Sequence, residues 1–241
     1  MGIFDFLKGK PSKDAILAQV RKAKEVYAQP EYRRMAMEKL LKWGDDESIK
    51  GLLERFSTVV QSPHWDEDEK RWLTDELIKL KERALPILRD FILEKNDINH
   101  ALLAYRTIVN NDQTYVAFLK EALLARPPSD HRSVVGKQEI IAQLAEFRDD
   151  SLISLLIPYL DDHSDDVQCA AIDTLAPFGH PLAQTKFVSM LGSDSHSARV
   201  LRKVAQVVSQ HKLPVNSDAK LNEVILEDYK IAAGFLEPLG R

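Results

Sequence analysis

Cysteine is almost missing from this chain: Cys169 is the single one in 241 residues. An intramolecular disulfide is therefore excluded, and a reducing, cytoplasmic setting is the expectation. Glycine is also scarce, at nine residues, and none of them forms a GxGxxG or GxxxxGK[ST] phosphate loop or a Gly-x-Ser-x-Gly elbow. Aromatics make up 7%. No apolar run approaches the length of a membrane span. The opening MGIFDFLKGK is too short and too acidic for a secretory signal, and Phe6 stands where a myristoylation motif wants Ser or Thr. The net charge of −4 lacks the basic excess of a duplex-binding surface. Seven histidines (His64, His100, His131, His163, His180, His196 and His211) never make the i, i+4 pair of a helical zinc site. No catalytic residue, metal ligand or cofactor is expected.

What is present is helix-forming composition, 44% hydrophobic and 29% charged. The most informative stretch is 144–191. Leu152, Leu155, Leu156, Tyr159 and Leu160 fall at i, i+3, i+4, i+7, i+8, one face of a helix. After an acidic turn the spacing restarts at Val167, Ala170, Ala171, Thr174, Leu175 and Phe178, and Gly179 ends the helix. Ile153, Ile157, Cys169 and Ile172 lie off these stripes and are apolar too. Helices apolar on several sides need neighbours on several sides, the condition of an internal unit in a stack. Ala171 sits where the helices should approach most closely.

The rest of the chain follows suit. Residues 1–11 form an amphipathic cap, with Ile3, Phe4, Phe6 and Leu7 as its apolar side. It either folds onto the first helices or touches a membrane surface peripherally. Residues 12–212 read as paired helices. Ser12 caps the first, Pro30 opens the second, Gly44 closes it, and Asp45 or Asp46 caps the third. Asp66, Glu67, Asp68 and Glu69 load the first turn of a fourth with negative charge, as the helix dipole favours. Further helices are predicted over 83–95, 98–109, 112–125, 132–147, 150–160, 165–178, 181–191 and 196–210. Pro86 falls near a helix start, and Pro158 near an end that it should distort. Residues 213–241 break the pattern and form a C-terminal cap or tail, either a helix near 217–228 with an irregular end or a short β-ribbon.

Self-similarity organises these pairs. Residues 31–49 lie over 166–184 without a gap, matching Tyr32 to Val167, Arg33 to Gln168, Ala36 to Ala171, Leu40 to Leu175 and Gly44 to Gly179. Leu40, Ile78, Ile108, Leu144, Leu175 and Val208 recur at spacings from 30 to 38 residues. Asp165, Val167 and Ala171, followed by Leu175 and Gly179, with the preceding Leu152–Leu160 helix, resemble the HEAT-repeat family. Gln168 replaces the family's usual Arg, which Arg33 keeps. The resemblance implies an all-α fold, a right-handed superhelix of about six helix pairs, whose second helices line a concave face. On those helices lie Arg33, Arg34, Trp72, Tyr105, Arg106, Lys137 and Arg202, the expected protein-binding residues. Each competes with a structural role: a bond to a loop carboxylate for the arginines, core packing for Trp72 and Tyr105.

The Asp161–Asp166 run lacks the ligand spacing of a calcium loop and reads as a solvated turn at a helix N-terminus. Cys169 reads as a core thiol. The function expected is a non-enzymatic, protein-binding scaffold with an unidentified protein partner. DNA binding of the alkylpurine glycosylase type and HEAT-like bilin lyase activity are the alternatives.

Overall fold

Helix after helix starts and stops where local chemistry directs. The computed structural model describes residues 10–240, so the cap assigned to residues 1–11 lies largely outside the described residues. Thirteen α-helices run through the described chain. They are α1 (Lys13–Ala23), α2 (Pro30–Trp43), α3 (Asp46–Leu53), α4 (Pro63–Lys79), α5 (Leu85–Glu94), α6 (Asn99–Val109) and α7 (Asp112–Leu124). Then come α8 (Val134–Leu144), α9 (Ser151–Leu156), α10 (Asp165–Leu175), α11 (Pro181–Met190), α12 (Ala198–Gln210) and the short α13 (Glu223–Leu226). Ser12, Asp45, Ser62 and Ser197 each accept a backbone N–H from three residues on, satisfying one orphan donor of the first turn. Pro30, Pro63, Pro86 and Pro181 occupy first-turn positions, where a missing N–H costs nothing. Gly44 and Gly179 close their segments in the left-handed region, at φ 65° and 60°. Pro158 does distort its helix: α9 stops at Leu156 and continues as a 3-10 turn through Asp161.

The chain forms two compact units, with the boundary inside α7, between Tyr115 and Val116. In the first unit α1, α3 and α5 pack in series, and so do α2, α4 and α6. That is two layers of helices, each layer laid down by alternate members of the chain. Its core includes Met37, Leu40, Leu52, Leu73, Leu77, Leu88 and Leu102, all sealed from solvent. In the second unit α8, α10 and α12 pack in series, with α9 and α11 alongside α10 and α12. Leu144, Leu156, Val167, Ala171, Leu175, Val204 and Val208 form the core there. In chain order α1 to α12 make six helix–loop–helix pairs, and the fold is an all-α, HEAT-like solenoid fold. Among the described residues strand occurs only after residue 228.

The end of the chain takes the ribbon form rather than the long helix. Only α13 is helical; Tyr229–Ala232 (β1) and Phe235–Pro238 (β2) pair antiparallel, with Ile231 opposite Leu236. Ala233 and Gly234 turn the chain at φ 50° and 81°, the two positive values that a tight hairpin needs. Leu236 buries itself, and β2 packs on α12, so the ribbon covers the apolar side of the last long helix. The segment comes close because Gly192 has no side chain: a Cβ there would lie 2.4 Å from the Lys220 carbonyl oxygen. The Asn222 side chain fixes the approach, donating to the carbonyl of Ser193 and to the Asp194 carboxylate, both at 3.1 Å.

Candidate interaction surface

The fourth residue of α2, of α8 and of α10 carries a polar side chain that points inward. Arg33 in α2 donates to the carbonyls of Ala28 at 2.5 Å and Glu25 at 3.2 Å, in the loop just before its helix. Lys137 in α8 does the same to Asp130 at 3.1 Å, and Gln168 in α10 to Asp162 at 2.5 Å. Each side chain then reaches forward along the chain. Arg33 meets Glu69 at 2.7 Å, Lys137 meets Asp162 at 2.5 Å, and Gln168 shares a hydrogen bond with His196 at 2.9 Å. This geometry ties a loop to its own helix and to the next pair at once.

The first unit elaborates the theme into a buried charge network. Glu69 accepts from Arg33 and, at 2.9 Å, from Arg55, which also holds Asp66 at 2.8 Å and the Thr58 carbonyl at 2.7 Å. Lys70 closes on Asp66 at 2.8 Å. Burial pushes the Asp66 carboxyl up, but bonds from Lys70 and Arg55 more than offset this and hold it below the ordinary carboxylate value. Asp66 and Glu69 were expected as first-turn charges favoured by the helix dipole. They are instead the counter-charges of two sealed arginines.

These contacts revise the set of binding candidates. Arg33 is 1% exposed and Lys137 0%; both are spent inside the stack, so neither is offered to a partner. Tyr105 is buried too. The physical reason is shared: early in a second helix, a long cation is the group that can satisfy loop carbonyls and a carboxylate from the following pair. Arg202 is exposed and ion-paired with Glu227 at 3.0 Å and Asp228 at 3.5 Å, beside the ribbon. Arg106 lies 5.3 Å from the Tyr115 ring.

Arg34 and Trp72 are both partly exposed and lie together. The Arg34 guanidinium lies 3.4 Å from the centre of the Trp72 ring and pairs with Glu38 at 3.2 Å. Beside them Tyr32 and Met35 are 64% and 68% exposed. Tyr32, Met35, Lys39 and Lys42 follow at i, i+3, i+7, i+10, one stripe along α2. The sequence comparison had matched Tyr32 to Val167, which is fully buried. The register is right but the environment differs. α2 belongs to the first described pair, and no described pair precedes that one to cover the position. Periodicity carries no signal for such an end effect.

The corresponding surface of the second unit is laced with ion pairs. Asp166 meets Arg199 at 2.5 Å, and Asp173 meets Lys203 at 2.6 Å, both between α10 and α12. Cys169 lies between them on α10, half-buried rather than in the core; burial pushes its thiol up, against the pull of Arg199 and Lys203. Asp161 is held by Lys186 at 2.6 Å, and Asp162 by Lys137, so this acidic run is paired rather than simply solvated. Among the described residues no group of three or more His, Cys, Asp or Glu converges as a metal site. Tyr159, buried in the 3-10 turn after α9, donates to the carbonyls of Leu123 at 2.8 Å and Arg126 at 3.1 Å. Burial and the nearby Asp162 carboxylate push its hydroxyl up to about 12.

The pairwise stacking of the second unit is matched by a known family. Residues 116–209 match the family model described as HEAT repeats. Residues 116–209 are therefore HEAT repeats. The matched HEAT repeats run from α7 to α12, the span in which Lys137 and Gln168 link successive pairs. Comparison with curated proteins and with solved structures returns no match. Among the described residues no helix is long and apolar enough to cross a membrane.

Proposed function

We propose that this protein is a non-catalytic scaffold that binds a protein partner through the second-helix face of its first unit. Tyr32, Arg34, Met35 and Trp72 form the centre of that face. The observation that carries the reading is the exposure of Tyr32 and Met35 beside the stacked Arg34–Trp72 pair. Aromatic, Met and Arg side chains are the types that concentrate at interface centres. Two large apolar side chains left in water on one helix face are a standing source of association free energy, about 25 cal/mol per Å² covered. The second unit supports the contrast, since its equivalent surface is already consumed by internal ion pairs. Glu31, Glu38 and Asp75 share the proposed face with its cations, which favours a protein over nucleic acid. The lone cysteine fits a partner met in a reducing compartment.

The test is site-specific photo-crosslinking in the source cell. A photo-reactive residue at Met35 should trap a protein that the same residue at Val135, exposed in the second unit, does not. Tyr32→Gln with Met35→Glu should abolish that adduct, with folding stability held within about 0.5 kcal/mol because both sites are on the surface. Equal adducts at both positions, or an adduct untouched by the double variant, would remove the reading.

A further inference from the structure

Repetition inside the molecule shows what kind of element belongs on the exposed stripe of α2. Residues 31–49 share the register of 166–184, so Tyr32, Met35, Lys39 and Lys42 take the places of Val167, Ala170, Thr174 and Pro177. Val167 is sealed and Thr174 is 4% exposed, whereas all four residues of the α2 stripe are exposed. The neighbours of the two helices explain the difference. α10 packs on α9, on α12 and on α8. α1 is the counterpart of α9 against α2, and α4 is the counterpart of α12, reached through Arg33–Glu69 and the Arg34–Trp72 stack. Only α8 has no counterpart among the described residues. The cover missing from the α2 stripe is therefore that of a helix.

We propose that the protein partner seats an amphipathic helix on α2 as α8 sits on α10, with carboxylates at the end that lies over Lys39 and Lys42. This rests on the reading of the α2 face as the binding surface, and it names the partner's chemistry. The differences between the two units supply that chemistry. Tyr32 and Met35, larger than the Val167 and Ala170 they replace, offer apolar contact to side chains at i, i+3, i+4 and i+7 of an incoming helix. Lys39 and Lys42 stand where the second unit has the uncharged Thr174 and Pro177, about 10–15 Å further along the axis than Tyr32. The other charges of the face are accounted for. Glu38 is paired with Arg34, and Glu31 stands at the opposite end of the stripe, beside Tyr32. Lys39 rests 5.3 Å from the Trp43 ring, a contact that leaves its charge uncompensated. One carboxylate at the start of the stripe and two ammonium groups at its end fix which end of the incoming helix is acidic. A covering helix also answers the need of a terminal repeat to hide its outer apolar surface.

Two synthetic helical peptides test this on the full chain. Both carry leucines at i, i+3, i+4 and i+7; one adds glutamates in the next two turns, the other lysines at the same positions. By fluorescence anisotropy the glutamate peptide should bind about tenfold more tightly than the lysine peptide. Lys39→Glu with Lys42→Glu should reverse that order, and Tyr32→Gln with Met35→Glu should abolish binding of both. Added to an extract of the source cell, the glutamate peptide should suppress the photo-adduct at Met35, and the lysine peptide should not. Equal binding of the two peptides, or an order that the double lysine reversal leaves unchanged, would overturn the proposal. So would self-association of the unaltered chain in analytical ultracentrifugation that Tyr32→Gln with Met35→Glu removes, because the occupant would then be a second copy. If neither peptide binds while the Met35 adduct persists, the scaffold reading stands and the acidic helical partner falls. If the adduct is missing as well, both fall.

Discussion

The two units solve one problem with different cations. In the first, the buried Arg33 and Arg55 converge on Glu69; in the second, a single lysine, Lys137, meets Asp162, beside His163. Arginine stays charged whatever its surroundings, and its fork serves several acceptors, so the first unit can centre five charged groups on one loop cluster. Lysine is a single point charge that can lose its proton when stranded. The surfaces differ in the opposite sense. The first unit leaves Tyr32 and Met35 in water, while the second has paired its surface charges between α10 and α12. The first unit is thus the more polar inside and the more apolar along its α2 face.

This contrast can be broken by experiment, and the tryptophans make it easy to read. Trp43, Trp65 and Trp72 are the only ones, so their fluorescence reports the first unit, while circular dichroism reports helix in both. The largest effect is expected from Glu69→Leu, which strands the buried Arg33 and leaves Arg55 with Asp66 as its one carboxylate; it should cost about 3–5 kcal/mol in urea unfolding followed by fluorescence. Asp162→Asn removes the partner of one buried cation, Lys137, and leaves a neutral amide in its place. Its cost, followed by circular dichroism, should fall at the low end of that range of about 3–5 kcal/mol. If Asp162→Asn proved the costlier, the distinction between the two cations would fail.

Next in size is Ala171→Leu. Ala171 is fully buried in α10, which packs on both α8 and α12. Extra methyl groups there should overpack the second unit by about 1–3 kcal/mol, seen as an earlier circular-dichroism melt. An unchanged melt would mean room that the packing does not show.

The smallest effect concerns pH. A hydrogen bond from Lys120, with others from Ser151, holds the Asp149 carboxyl down at about 2. A carboxyl depressed in the folded state stabilises above its ordinary value of 3.8, and that contribution is lost as pH falls from 3.8 through 2. Asp149 is substantially exposed, so the loss should be slight. Nuclear magnetic resonance titration should show the low midpoint, and Lys120→Met should raise it. A midpoint near 3.8 in the unaltered chain would discard the Lys120 contact.

The candidate site was less legible in sequence than the fold. Arg33 and Arg106 looked equivalent as exposed arginines on second helices, and reversing both would have seemed a way to map a surface. Reversal of Arg33 would instead place a third carboxylate against Glu69 and Asp66 in a sealed cluster. Helical spacing places Arg33 on a face but says nothing of what covers that face. Tyr32 shows the complementary case. It occupies Val167's register, yet the first pair has no described predecessor to bury it.

What the sequence determined by itself is therefore the local and the periodic. Apolar stripes at helical spacing, capping Ser and Asp residues, first-turn prolines and the glycines at 44 and 179 identified the helices, their ends and the HEAT resemblance. Each of these signals acts within a few residues along one chain segment. Tertiary structure decided everything that depends on a second segment: which cations are buried, that Asp66 and Glu69 are counter-charges, that the chain ends in a ribbon over α12, and where apolar side chains remain in water. Those outcomes are set by pairs 11 to 36 residues apart, such as Arg55–Asp66, Lys137–Asp162 and Arg33–Glu69. Burial and charge pairing at that range follow from how one helix pair is laid on the next, which no local pattern encodes.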